Sequence, residues 1–353
     1  MNPTKELKNE KSATRGAPRT YRQEVWHRFK KRSLTVMGLY LTVFLIVVAL
    51  FAPLLANSRP LLARFRGEWS APFLSKSDGV GTHTWRELKK ASPRVVQRNI
   101  GGAGDFAIWP PIVSSAEEND LLEPLSPPTR EHWMGTDDRG RDVLSRMVYG
   151  ARVSLSVGFV AEGIAVLLGI VLGAVAGYFG SWVDHLVNRL IEVLVTIPTF
   201  FLIIAIIAFL PPSIYNIMVV IGITGWTGVA RFVRAEFLKL KQLDFVLASR
   251  ALGASPGRII FHHMLPNAMA PVLVSTVFGI AGAILVESSL SFLGFGVPPP
   301  TPSWGDILSQ SRDYIEFAWW LTVFPGLAIF LSITAYNLVG EGLRDAMDPK
   351  LFE

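Results

Sequence analysis

Runs of about 20 predominantly apolar residues recur along this chain, each long enough to cross the roughly 30 Å of hydrocarbon in a bilayer as a helix. Inside lipid, backbone amides and carbonyls must bond within the protein, which leaves helices or a closed barrel as the only spanning structures. The runs lack the two-residue alternation of barrel strands, so they read as helices. Half of the 353 residues are hydrophobic, more than a soluble chain of this length would tolerate. The fold class is an all-α polytopic membrane protein with six transmembrane helices.

The spans are read over Thr35–Leu55, Val153–Tyr178, about Leu190–Leu210, about Ile214–Ala230, Ala270 to about Phe295, and about Trp319–Leu338. Residues 1–32 hold ten Lys and Arg against three acids, a cytoplasmic flank under the positive-inside rule and a surface suited to anionic membrane lipid. That stretch is too long, and the run after it too full, for a cleaved signal peptide. Six spans then return the C-terminus to the cytoplasm. The domains follow: a basic cytoplasmic tail (1–33), a first transmembrane helix (34–55), an extracytoplasmic insertion (56–150), a transmembrane core (151–345) containing a cytoplasmic loop (231–268), and a cytoplasmic C-terminus (346–353). The insertion is too long for a plain loop and reads as a small subdomain packed on the core. A short half-helix is expected to start after Ser303.

Composition excludes several chemistries. There are no cysteines, hence no disulfides, thiolate metal sites or cysteine nucleophiles. The net charge of +6 sits mostly on membrane flanks, which argues against a nucleic-acid partner. His262 and His263 are adjacent and would point about 100° apart on a helix, a poor arrangement for a shared metal. Asp137, Asp138 and Asp142 lack the spacing of a calcium loop and read as a turn and helix cap. Within the spans, Glu162 and Glu287 are costly in lipid, so each must face a cavity or a partner, as either a structural hydrogen bond or a pathway group. Arg189 and Glu192 read as an i,i+3 pair on one helix. Gly169, Gly173 and Gly177 form a small-residue stripe suited to close helix approach, either between subunits or within the chain.

The loop between the fourth and fifth spans, Arg231 to Pro271, carries more than a membrane anchor needs. Phe245–Ala254 is a stretch of helix formers broken at Gly253. Ser255 then offers an N-cap and Pro256 a first helical position for a second short helix that Pro266 ends. Two short helices about a glycine turn make a compact knob with an Ala-lined face, a shape that suits a groove on another protein.

This loop resembles the EAA coupling loop of ABC-importer permeases. Ala248, Gly253, Leu265 and Pro266 stand at the family spacing, while Leu247 replaces the glutamate, Ser249 the second alanine, and His263 the isoleucine. The stretch Trp133–Leu155, the stretch Glu287–Leu308 and the closing "LRDAMDPK" are similar to the C-type permeases of dipeptide and oligopeptide importers. Residues Ala56–Leu74 further resemble the insertion of the Yej-type oligopeptide and microcin C permease.

The resemblance implies a type I (MetI-like) permease core with an extra N-terminal span, in a bacterial inner membrane. It also implies a second permease subunit as a heterodimeric partner, two cytoplasmic ABC ATPase domains, and an extracytoplasmic solute-binding protein. Coupling would run through Ala248, Arg250, Ala251, Leu252, Gly253, Ala254, Arg258, Ile260, His263, Leu265 and Pro266. Arg250 and Arg258 would pair with acids on the ATPase. No Gly-x-x-x-x-Gly-Lys-Ser/Thr phosphate loop occurs in the sequence, so no cofactor is expected on this chain, and ATP and Mg belong to the partner. The implied role is a permease subunit for peptide import, not an enzyme. Alternatives are the same role for nickel or another small solute, an ion-coupled secondary transporter, or a membrane enzyme. The last two lack matched intramembrane charges in the two halves and a catalytic constellation, respectively.

Overall fold

A computed structural model describes residues 20–65, 68–74, 79–80, 83–84 and 106–348. Most of the basic tail, much of the insertion and the last residues of the C-terminal segment fall outside the described residues. Helix α1 (Tyr21–Lys31) precedes α2 (Ser33–Leu50), the first span. Then come α3 (Val143–Phe179), α4 (Ser181–Thr196), α5 (Thr199–Ile207) and α6 (Ile214–Leu240). The chain closes with α7 (Asp244–Ala251), α8 (Leu265–Phe292), α9 (Trp304–Tyr314) and α10 (Trp320–Met347). Five helices are long and apolar enough to span a membrane, and the spans number six when the bent pair α4–α5 is counted as one.

The core of the bundle is the packing of α3 on α6, and the glycine stripe makes it possible. A Cβ on Gly169 would stand 2.5 Å from Val229 Cβ, one on Gly173 2.5 Å from the Ala230 carbonyl, and one on Gly177 2.5 Å from Phe237 Cβ. Gly222 of α6 answers from the other side, 2.6 Å from Ile164 Cβ. The stripe is therefore spent within the chain rather than on a second subunit. A separate cluster joins α2, α3, α8, α9 and α10 through Leu45, Val143, Leu155, Ile284, Trp304 and Leu321. At one end of this bundle Arg32 pairs with Asp345, so the start of α2 and the end of α10 meet on the same face.

Several span boundaries depart from the sequence reading. The third span starts at Ser181 instead of Leu190 and breaks at Ile197–Pro198, where α4 and α5 meet at 84°. Pro198 has no N–H, and its ring forces Ile197 into extended backbone, so the helix cannot run through. The fourth helix continues ten residues past Ala230, because Val233, Phe237 and Leu240 extend its buried stripe along α3. Pro266 does not end a helix: a π-helical segment at Ile259–Met264 widens the turn ahead of the proline and the helix runs on into α8.

At the opposite end lies the described part of the insertion, where the all-α core carries a small amount of sheet. Strands β1 (Leu62–Phe65), β2 (Glu68–Ser70) and β5 (Phe106–Ile108) form an antiparallel sheet in the order β2-β1-β5, and β3 (Gly79–Val80) and β4 (His83–Thr84) form a separate antiparallel pair. The Asp-rich turn is a helix cap: Asp142 accepts from the Ser145 amide at 2.7 Å and starts α3 ten residues before the expected Val153. Around it, Arg141 donates to Asp137 at 2.6 Å, and Arg146 bridges to Asp306 of α9 at 2.7 Å. The Trp304 indole donates to the Met147 carbonyl at 3.0 Å, and Ser303 caps α9 by accepting from Asp306 N. These contacts fix the half-helix against the start of α3.

Candidate functional site

The knob forms at the end of the bundle where α2 starts and α10 ends. After Leu240 the chain turns through Lys241–Leu243, makes two turns of helix in α7, reverses at Gly253 and re-enters a helix at Pro256. Gly253 has φ +80°, the left-handed region where a side chain is strained, and no atom crowds its vacant Cβ position. Lys241 Nζ donates to the Tyr178 carbonyl at 2.7 Å and ties the first turn to the end of α3. At that end, the Arg234 guanidinium of α6 holds the Asp184 carboxylate of α4 through two hydrogen bonds, the second at 2.8 Å.

The knob has two faces. Val246, Ile259, Ile260 and Met264 are buried in one cluster with Tyr178, Phe237 and Leu240, so the underside is part of the bundle core. This makes the knob a rigid extension of α6 and α8. The outer face shows Leu247, Leu252 and Phe261 to the exterior, with Leu252 88% exposed. Ala248, Arg250, Ala251, Gly253, Arg258 and Pro266 lie on it too, while Ala254, His263 and Leu265 are half-buried at its edge. Ile260 is buried, so it anchors the knob rather than meeting anything outside. The Arg250 guanidinium lies 5.6 Å from the Tyr178 ring centre, held in place while still exposed. Phe245 and Phe261 also belong to the exposed face, although in sequence an aromatic beside aliphatics on a short amphipathic helix looks like core.

The two intramembrane acids separate. Glu287 is fully buried and accepts from Ser291 Oγ at 2.8 Å and Ser154 Oγ at 3.2 Å, joining α8 to α3. It is a structural hydrogen-bond centre. Glu162 has no such partners among the described residues. Arg189 and Glu192 form their i,i+3 pair at 3.0 Å, exposed on α4. His262 and His263 meet no further ligand-bearing group, and no cluster suited to a metal occurs among the described residues.

The family model described as "binding-protein-dependent transport system inner membrane component" matches residues 169–353, more than half of the chain. The chain belongs to that family. A second model, for the N-terminal transmembrane domain of oligopeptide transport permease C, matches residues 20–75 of this permease. A dipeptide transport system permease protein of Bacillus subtilis is 35% identical over 333 residues, covering 94% of this permease and 87% of the relative. A peptidoglycan transport system permease protein, YejE of Agrobacterium fabrum, is 34% identical, covering 95% of this permease and 94% of the relative. A dipeptide permease of Alkalihalophilus pseudofirmus reaches 42% over 70% of this permease and 82% of its own length. The inward-facing methionine transporter MetNI aligns at a TM-score of 0.48 and 18% identity, covering 58% of this permease and 98% of that chain, a likeness too slight to carry more. This permease is thus a multi-pass inner-membrane subunit of an importer whose ATPase is a separate chain.

Proposed function

We propose that this permease imports peptides, and that the knob at residues 245–267 carries the ATPase's motion into the membrane. The observation that supports the coupling role most strongly is the two-faced knob: its underside is continuous with the core of α6 and α8, and its outer side presents Leu247, Leu252 and Phe261 flanked by Arg250 and Arg258. An apolar surface ringed by cations suits a groove with acidic edges on a cytoplasmic ATPase. Because the knob is packed rather than tethered, its displacement tilts α6 and α8 as rigid bodies. ATP and Mg act on the ATPase, closing it and drawing the pathway from inward- to outward-facing, and hydrolysis resets it. The binding protein delivers cargo at the insertion end, a second permease completes the pathway, and both termini lie in the cytoplasm.

Peptide cargo is favoured over nickel by the names of the relatives, which cover nearly the full chain. Reconstitution tests the whole proposal. Liposomes holding this permease, its neighbouring permease and ATPases should accumulate an oligopeptide only with both ATP and a loaded binding protein. Accumulation by this chain alone, or of nickel but no peptide, would overturn the reading.

A further inference from the structure

Glu162 lies at the midpoint of α3, and Gly279 at the midpoint of α8, and the two meet there. A Cβ on Gly279 would overlap the Glu162 carboxylate, so the glycine gives that group its place. Glu162 is only 8% exposed, yet no hydrogen bond or ion pair from any described residue reaches it. Glu287, two helical turns beyond Gly279 on α8, shows what this chain does with an acid it needs for structure, since serine hydroxyls surround it. A buried carboxylate with no donor is costly anywhere and more so at the middle of a bilayer, so Glu162 is placed to take a donor from beyond the described residues.

The surroundings say what kind of donor can approach. Gly163, beside Glu162, and Gly282, one turn along from Gly279, are exposed, with nothing within 4 Å of where their Cβ atoms would stand. Gly163 and Gly282 thus leave bare backbone on both helices beside the carboxyl. An extended peptide main chain can lie along backbone of this kind. Peptides of different sequence share few groups, and the amino-terminal ammonium is one of them, complementary in charge to a carboxylate. We propose that Glu162 holds the amino-terminal ammonium of the cargo as it passes the membrane midplane. This rests on the peptide-import reading above.

The test uses the assembled transporter in liposomes, with trialanine and N-acetyl-trialanine each supplied at concentrations that saturate the binding protein. Wild type should carry trialanine faster than the acetylated form. Glu162→Gln, which keeps the shape of the side chain, should cut trialanine uptake at least tenfold, down to the acetylated rate, with the second permease still co-purifying. Glu162→Asp should keep the preference for the free amine. Wild-type trialanine uptake in Glu162→Gln would overturn the assignment, and so would loss of the second permease from the variant complex, which would place the donor on that subunit. A wild-type transporter that carries neither peptide would instead overturn the peptide reading itself.

Discussion

At the scale of single residues, Gly253 and Glu287 show two ways one side chain can decide an outcome. Gly253 is in open space, so only its left-handed backbone restricts what can replace it. A β-branched residue there costs about 1–2 kcal/mol or more, whereas asparagine tolerates the conformation. Gly253→Val should insert in the membrane at normal levels yet lose ATP-driven uptake, while Gly253→Asn keeps most of it. Uptake by vesicles containing equal amounts of each variant measures this, and equal rates would remove the turn from the coupling path. Glu287 is the reverse case, fully enclosed by serine hydroxyls from α3 and its own helix. Glu287→Ala strands those hydroxyls at about 1–3 kcal/mol and should lower the thermal midpoint of the purified complex by several degrees. An unchanged midpoint would show that the network carries no stability.

At the scale of elements, the α3–α6 interface is the contact least able to adjust. The vacant Cβ position of Gly173 faces the Ala230 carbonyl at 2.5 Å, and a backbone atom cannot rotate away as a side-chain tip can. Gly173→Leu should therefore force the two helices apart and be recovered mostly as aggregate in detergent. Gly326→Ala, with open space around it, should purify as wild type. Size-exclusion profiles decide, and a monodisperse Gly173→Leu would contradict the packing. The sequence showed this stripe but not its use, because four-residue glycine spacing is the same whether the partner helix is in the chain or outside it. The knob was legible in outline from Gly253, Ser255 and Pro256, yet its boundaries were not. Arg231–Leu240 looked like loop because its charges mask the Val233, Phe237 and Leu240 stripe, which continues the helix. Pro266 looked like a terminator because a π-helical turn that accommodates a proline leaves no mark in the residue pattern. Pro198 was the missed signal: a proline after a β-branched residue inside an apolar run marked the 84° break in the third span.

At the scale of the whole molecule, the proposed mechanism asks the spans, the insertion and the knob to move as one mechanical path. The start of α2, the end of α10 and the knob share one end of the bundle, the described part of the insertion and α9 the other, and α3, α6 and α8 run between them. Hydropathy and charge carried the six-span architecture from the sequence alone, because lipid leaves so few alternatives. The isolation of Glu162 was not visible there, because whether an acid in a span has a donor depends on which helices meet it. The absence of cysteine allows the central claim, that the knob is gripped by an ATPase, to be tested with a single introduced thiol. Leu252→Cys places it on the exposed face of the knob, where Leu252 is 88% exposed, and Leu122→Cys, at a residue 87% exposed in the insertion, serves as the control. The measurement is the yield of disulfide between each thiol and a cysteine-bearing ATPase subunit in native membranes, with and without ATP. The account predicts a Leu252→Cys adduct with the ATPase whose yield shifts with nucleotide, and none from Leu122→Cys. A Leu252→Cys thiol that never joins the ATPase, in a complex that still imports peptide, would contradict it.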